Sequence, residues 1–367
     1  MADASAVADT PLSGPDEAPD PVDWNTARRV AKSLSGKDPF ADSYLRTAMH
    51  DDFALVTSEA ESMVAEFTGL HAPGIAQGGV VDRAGWIDAN LASMRRLLGP
   101  LTHKLGSRVT STPFAPIGKH AAGAEMGALL GYMSQRVLGQ YDLLVPEETD
   151  IGDVVYYVGP NVLSLEQRFA FRPRDFRRWI AIHEITHRAQ FTAVPWLRPY
   201  FMSLVERTFG MVDPDPRTLI RGVARAVESL SRGKNPFDEA GLLGIFASDD
   251  QRAVLGDVQA LMSLLEGHGN YVMNALGRQH VYGVERMERV LQARRATKGI
   301  GGQLQKMMGI EMKLRQYAVG EKFLDDVVAR AGIGAIDAAW TGPEALPTLD
   351  ELNDASKWLA RMSGARA

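Results

Sequence analysis

The chain has 367 residues, 45% of them hydrophobic, no cysteine and a formal net charge of −5. That length can bury a sizeable core, and the missing cysteines exclude disulfides, thiolate metal sites and cysteine nucleophiles, so any metal must be held by His, Asp or Glu. There is no run of about 18 apolar residues, no leader with a basic then an apolar stretch, and no block of basic residues, which argues for a cytoplasmic protein with neither a membrane nor a nucleic-acid partner.

Residues 1–22 are rich in Ala, Asp, Pro and Ser and carry Pro11, Pro15, Pro19 and Pro21. They read as a disordered acidic tail, with order beginning near Val22-Asp23-Trp24. Helical periodicity then predicts helices near 25–35, 41–68, 82–105 and 120–144. In the last of these, Gly123, Gly127 and Gly131 recur every four residues, a spacing that lets another backbone approach closely. Glu125, Gln135 and Arg136 interrupt the segment, so the close partner is expected in a protein core rather than in a membrane.

Asp153 to Val158 is β-branched and aromatic and ends at Gly159-Pro160-Asn161, which predicts a strand and a turn. A second extended piece is expected over Val162 to Leu165. Helices follow near 174–191, 196–209, 216–232, 248–276, 283–297, 303–318 and 320–331. Ser248 with Gln251 reads as a capping box, and Thr348 with Glu351 reads as another, opening a last helix that runs to about Met362. Arg172, Arg174, Arg177 and Arg178 read as a solvated helix start with local ion pairs. No internal repeat is present. The expected organisation is the tail 1–22, a helical region 23–145 and a catalytic region 146–367, the last two forming one compact unit.

The chemistry is concentrated in Ile182-His183-Glu184-Ile185-Thr186-His187-Arg188, an H-E-x-x-H motif inside a predicted helix. Residues four apart lie one turn apart on the same face, so His183 and His187 can converge on one Zn²⁺. Glu184 lies about 100° further round the helix. It is placed to take a proton from a water attacking a carbonyl rather than to hold the ion.

A catalytic zinc usually has three protein ligands. Glu266 lies in the apolar stretch Leu264-Leu265-Glu266-Gly267-His268-Gly269-Asn270-Tyr271-Val272-Met273, where an unpaired carboxylate would be costly. It is the preferred third ligand. His268 points about 200° away from it on a regular helix, so the two cannot face one ion together. The competing assignments are His268 as ligand and Glu266 as a structural ion-pair partner. Asn270, one turn beyond Glu266, is expected to accept a hydrogen bond from a ligand histidine. Gly267 and Gly269 would let this helix approach the metal helix.

The run from His183 to Phe191, followed by Val194-Pro195-Trp196-Leu197-Arg198, resembles an actinobacterial family of zincin-like zinc metallohydrolases, described as coenzyme F420 biosynthesis-associated proteins or zinc metalloproteases. Leu265-Glu266-Gly267-His268, Met312 to Tyr317, Gly320, Phe323, Trp340, Pro343-Glu344 and Leu346-Pro347-Thr348 carry the resemblance further, and Val22-Asp23-Trp24 resembles its F420-associated branch. It spans about residues 22–362. It implies a zincin core with a distant Glu ligand on a later helix. Asn270 stands where the gluzincin pattern would usually supply Asp. The resemblance also implies a strand beside the active site, one whose edge can pair with an extended peptide. Val154 to Val158 fits that place, and Tyr156 or Tyr157 could line the cleft. For oxyanion stabilisation, Tyr317, Arg315, His280 and Tyr282 are candidates by type, and Tyr317 is favoured by its family-like surroundings.

The expected fold is thus mainly α with a small β-sheet (α+β), zincin-like around the H-E-x-x-H helix. The expected function is zinc-dependent hydrolysis of an amide or peptide bond. The alternatives are a catalytically silent binding or scaffold protein, and a small-molecule amidohydrolase linked to cofactor metabolism.

Overall fold

The computed structural model describes residues 22–109, 115–143, 154–210, 249–296 and 310–364. The acidic tail, the expected helix near 216–232, the Ser248 cap and the start of the helix expected at 303 lie outside these residues. The chain is mainly helical with a three-stranded sheet. It divides into two compact units, within Met1–Ala54 with Gln77–Ala170 and within Leu55–Ala76 with Phe171–Ala367.

The first unit opens with α1 (Trp24–Leu34), capped by the Asp23 carboxylate, which accepts from the Thr26 amide at 3.0 Å and the Thr26 hydroxyl at 2.8 Å. Next come the first part of α2 (Tyr44–Thr68), β1 (Gln77–Val81), α3 (Arg83–Val109), α4 (Ala115–Ser134), β2 (Gly139–Tyr141), β3 (Val154–Val158) and α5 (Gly159–Phe169). The three glycines of α4 face α1. A Cβ on Gly127 would overlap the Ala27 carbonyl oxygen and come within 2.8 Å of the Val30 Cβ, and one on Gly131 would lie 2.7 Å from the Leu34 Cβ. The periodic glycines are therefore the seam of a helix pair, and Trp24, Ala27, Ala31, Trp86, Ile87, Leu91 and Leu130 close the core around it.

The sheet order is β1-β3-β2, with β1 parallel and β2 antiparallel to β3. Two strands were not expected. Gly78-Gly79 disguises β1 as a loop, and β2 spans only three residues, in what periodicity assigns to the end of a helix. The extended piece expected at 162–165 is helical. Pro160 fixes the backbone for a first turn instead of a loop, and α5 runs on until Ala170 turns it off in the left-handed region at φ 48°. Asn161 joins these parts. Its amide donates to the carbonyls of Ser134 (2.8 Å) and Val137 (2.7 Å), and its oxygen accepts from the Arg83 Nε at 2.8 Å.

The second unit holds the end of α2, then α6 (Pro173–Ala193), α7 (Leu197–Gly210), α8 (Asp249–His280), α9 (Val284–Ala296), α10 (Ile310–Ala331), two 3₁₀ segments (Ile333–Trp340 and Pro343–Ala345), α11 (Leu349–Asn353) and α12 (Ala355–Gly364). The helix break expected between 318 and 320 does not occur. Gly320 instead lies where α10 crosses α8: a Cβ there would overlap the Ser263 carbonyl, and one on the opposing Gly267 would overlap the Gly320 backbone. Ala260, Leu264, Phe323, Leu324, Val327, Leu352 and Trp358 pack around this crossing. The Thr348–Glu351 capping box forms as expected. The last helix is split at Asp354, whose carboxylate accepts from the Ser356 amide at 3.1 Å and starts α12 anew. Among the described residues no helix is long and apolar enough to cross a membrane.

Candidate metal centre

The site is built from two helices of the second unit, α6 and α8. Pro173 occupies the first turn of α6 and Asp175 adds a negative charge there, both suited to a helix N-terminus. The helix is then buried on most of its circumference, including Trp179, Ile182, Ile185, Thr186, Arg188 and Gln190. Surrounding charges pair off. Arg188 meets Glu61 at 2.8 Å, Arg174 and Arg178 both grip Glu59, at 2.9 and 2.7 Å, and Arg172 lies 3.7 Å over the Tyr282 ring. Arg174 and Arg178 thus serve long-range pairing with α2 rather than the solvated start with local pairs that was expected, and Arg177 is buried.

His183, His187 and Glu266 come together. The two imidazole Nε2 atoms are 3.2 Å apart, and Glu266 Oε2 lies 3.8 Å from that of His183 and 3.6 Å from that of His187. The point equidistant from these three atoms is roughly 2.1 Å from each, which is the length of a Zn–N or Zn–O bond. Two imidazoles and one carboxylate are a donor set that suits zinc, so the residues fit the ion. Both histidine side chains are 15% exposed and Glu266 is 8% exposed, which shields the centre from bulk water without sealing it.

Burial alone would push the His187 pKa down. The Glu266 carboxylate, helped by Glu184 and Gln190, outweighs burial and raises it in the metal-free chain. Glu184 is buried on α6, next to His183 in sequence. Gly269 supplies the room: a Cβ there would lie 3.1 Å from the Cε1 atoms of both histidines. Of the two glycines expected to bring α8 close to the metal helix, Gly269 does so and Gly267 faces α10 instead.

His268 does not join the cluster. Its Nδ1 lies 2.9 Å from the Gln190 amide nitrogen and its ring meets Trp340 edge-on at 5.2 Å. Burial pushes its pKa down to about 3, with the nearby His187 adding to the fall. Asn270 does not accept from a ligand histidine as expected. Its buried amide lines a small cavity with Trp179, Met273 and Asn274, and makes no hydrogen bond among the described residues. The partner of His187 is Gln190, whose Oε1 lies 2.9 Å from Nδ1. Sequence reading passed over Gln190, although it sits three residues beyond His187 and so on the same helix face.

Tyr156 and Tyr157 belong to β3 of the first unit. Val154–Val158 is the middle strand, hydrogen-bonded on both sides, so it is not the free edge expected for pairing with a peptide. Tyr157 is buried and stacks on Phe53 at 3.8 Å. Tyr156 is half-buried, and burial followed by the Asp142 charge raises its pKa. His280 is exposed at the end of α8 and Tyr282 is exposed under Arg172. The side chains of Tyr317 and Arg315 lie outside the described residues.

A crystal structure from Chloroflexus aurantiacus, assigned there only provisionally as a hydrolase with a novel fold, is similar at 32% identity and a TM-score of 0.69, over 93% of this chain and 99% of that one. Among curated proteins no match is found. Residues 22–359 match the family described as zincin-like metallopeptidase, and with the match reaching across nearly the whole length, the chain belongs to that family.

Proposed function

We propose that this chain is a zinc-dependent hydrolase that cleaves an amide bond, with His183, His187 and Glu266 as metal ligands and Glu184 as general base. The convergence of three donor atoms around one point, with Glu184 next to a ligand on the same helix, carries this reading. When bound, Zn²⁺ would polarise the substrate carbonyl and lower the pKa of a water toward about 7. Glu184 takes a proton from the attacking water as its oxygen adds to the carbonyl carbon. It then delivers that proton to the amine nitrogen as the C–N bond breaks. Glu266 supplies the single negative charge that two neutral imidazoles cannot.

The substrate class includes peptides, as the family name suggests, and small amides.

Metal analysis and hydrolysis assays on three proteins test the proposal. Wild type should bind one zinc and cleave. Glu184→Gln should keep the zinc and lose cleavage by a factor of about 10² or more. Glu266→Ala should lose the zinc. A wild-type protein that ignores zinc, or a Glu184→Gln variant that cleaves at full rate, overturns it.

A further inference from the structure

We infer that Gln190 and His268 form a relay that sets the tautomer of His187, with His268 holding the Gln190 amide and Gln190 holding the ligand. The inference deepens the zinc reading and rests on it for its purpose, though not for its geometry.

Gln190 is completely buried and makes three contacts. Its amide nitrogen lies 3.1 Å from the Leu265 carbonyl and 2.9 Å from His268 Nδ1, and its oxygen lies 2.9 Å from His187 Nδ1. Which end of the amide is nitrogen follows from the partners. A backbone carbonyl can only accept, so the group facing Leu265 must be the NH₂. The Gln190 oxygen must then face His187, and because an amide oxygen only accepts, His187 Nδ1 must carry the proton. That leaves the lone pair on Nε2, the atom that points at His183 and Glu266.

With its first NH₂ proton on Leu265, the second points at His268, whose Nδ1 must accept. His268 is 2% exposed and braced by Trp340, so it holds that geometry without reaching the ion. A rotated amide would set two acceptors against each other at Leu265 and would strand the proton of His187 on the atom that has to bind the ion. Gln190 and His268 are thus positioning residues, and the segment Glu266-Gly267-His268 serves the centre twice, through Glu266 directly and through His268 indirectly.

The test uses the full chain, zinc titrated against a competing chelator, and ¹⁵N shifts of selectively labelled histidine in the metal-free protein at alkaline pH, where the imidazoles are neutral. Gln190→Leu should lower zinc affinity about 10–100-fold and let the His187 proton redistribute to Nε2. His268→Phe, which keeps the contact with Trp340, should lower affinity about 10-fold. His268→Asn, whose side-chain oxygen can accept where Nδ1 did, should restore it to within a few-fold. A merely structural role would shift melting temperature without this rescue. Gln190→Leu with wild-type affinity, or His268→Asn as weak as His268→Phe, overturns the relay. Should wild type bind no zinc, the metal reading fails separately, and the shifts still decide: Nδ1–H on His187 in wild type but not in Gln190→Leu supports the relay, and the same tautomer in both overturns it.

Discussion

Two helix pairs, one in each unit, use the same sequence device to different ends. In the first unit Gly123, Gly127 and Gly131 of α4 lie against Asp23, the cap of α1, and Ala27 and Ala31 within it, both series spaced by four, and the removed side chains are replaced by the opposing backbone. In the second unit Gly269 of α8 lies against α6, and the space left by its missing side chain is filled by the imidazoles of His183 and His187. One seam is closed and serves cohesion. The other is held open at one point and makes room for two imidazole rings. A glycine on a helix face therefore permits close approach, and only what stands opposite says what the approach is for.

The largest effect expected from this contrast is on the closed seam. Gly127→Ala places a Cβ onto the Ala27 carbonyl, which belongs to backbone and cannot swing aside. The helices must part, at a cost of about 3 kcal/mol, less the roughly 1 kcal/mol that Ala gains over Gly as a helix former. Chemical denaturation should show a lower midpoint, with zinc affinity unchanged. A variant as stable as wild type would mean that the seam yields easily and that the comparison fails.

The open seam should respond the other way. In Gly269→Ala the new Cβ sits 3.1 Å from each Cε1 and 3.2 Å from His183 Nδ1, close enough to push the rings by a few tenths of an ångström. Zinc affinity should fall about tenfold, comparable with the loss of an outer partner of a ligand, while the metal-free protein is as stable as wild type or slightly more so. Chelator competition and thermal melting measure the two separately. Loss of stability without loss of affinity would make Gly269 a packing residue like Gly127.

The same contrast explains what sequence could reveal. The meeting of His183 and His187 was legible because their geometry is local: a helix places residues four apart on one face whatever surrounds it. Glu266 was legible because a carboxylate in an apolar run needs a partner. Gln190 was not, because its role depends on the Leu265 carbonyl, 75 residues on in sequence, and no periodicity in α6 points to a particular backbone oxygen on α8. Asn270 was misassigned for the related reason that spacing put it near the ligands but could not show that Gln190 already held His187. In the sheet, β1 was hidden by Gly78-Gly79 and β2 by its length, and both are strands only because β3 supplies hydrogen bonds from a distance.

The smallest effect concerns a join in which close backbone approach has no part. The C-terminal helices α11 and α12 are tied by side chains: Glu351 accepts from Arg361 Nε at 2.7 Å and from the Thr348 amide at 2.9 Å, while Thr348 caps the helix in return. Hydrogen bonds from Arg361, against the opposing effect of burial and with the Thr348 amide adding to them, hold the Glu351 carboxyl below the usual carboxylate range. The unfolded chain therefore takes up this proton at a higher pH than the folded one. The contribution is complete above the ordinary carboxyl pKa of about 4.3 and is lost as pH falls through the lower folded value. Thr348→Ala should cost about 1 kcal/mol at neutral pH, and Glu351→Gln should flatten the acid side of the stability curve. A glycine seam has no proton to lose, so Gly127→Ala should shift that curve down without changing its slope. An acid limb equally steep in wild type and in Glu351→Gln would show that this join, too, is held by packing alone.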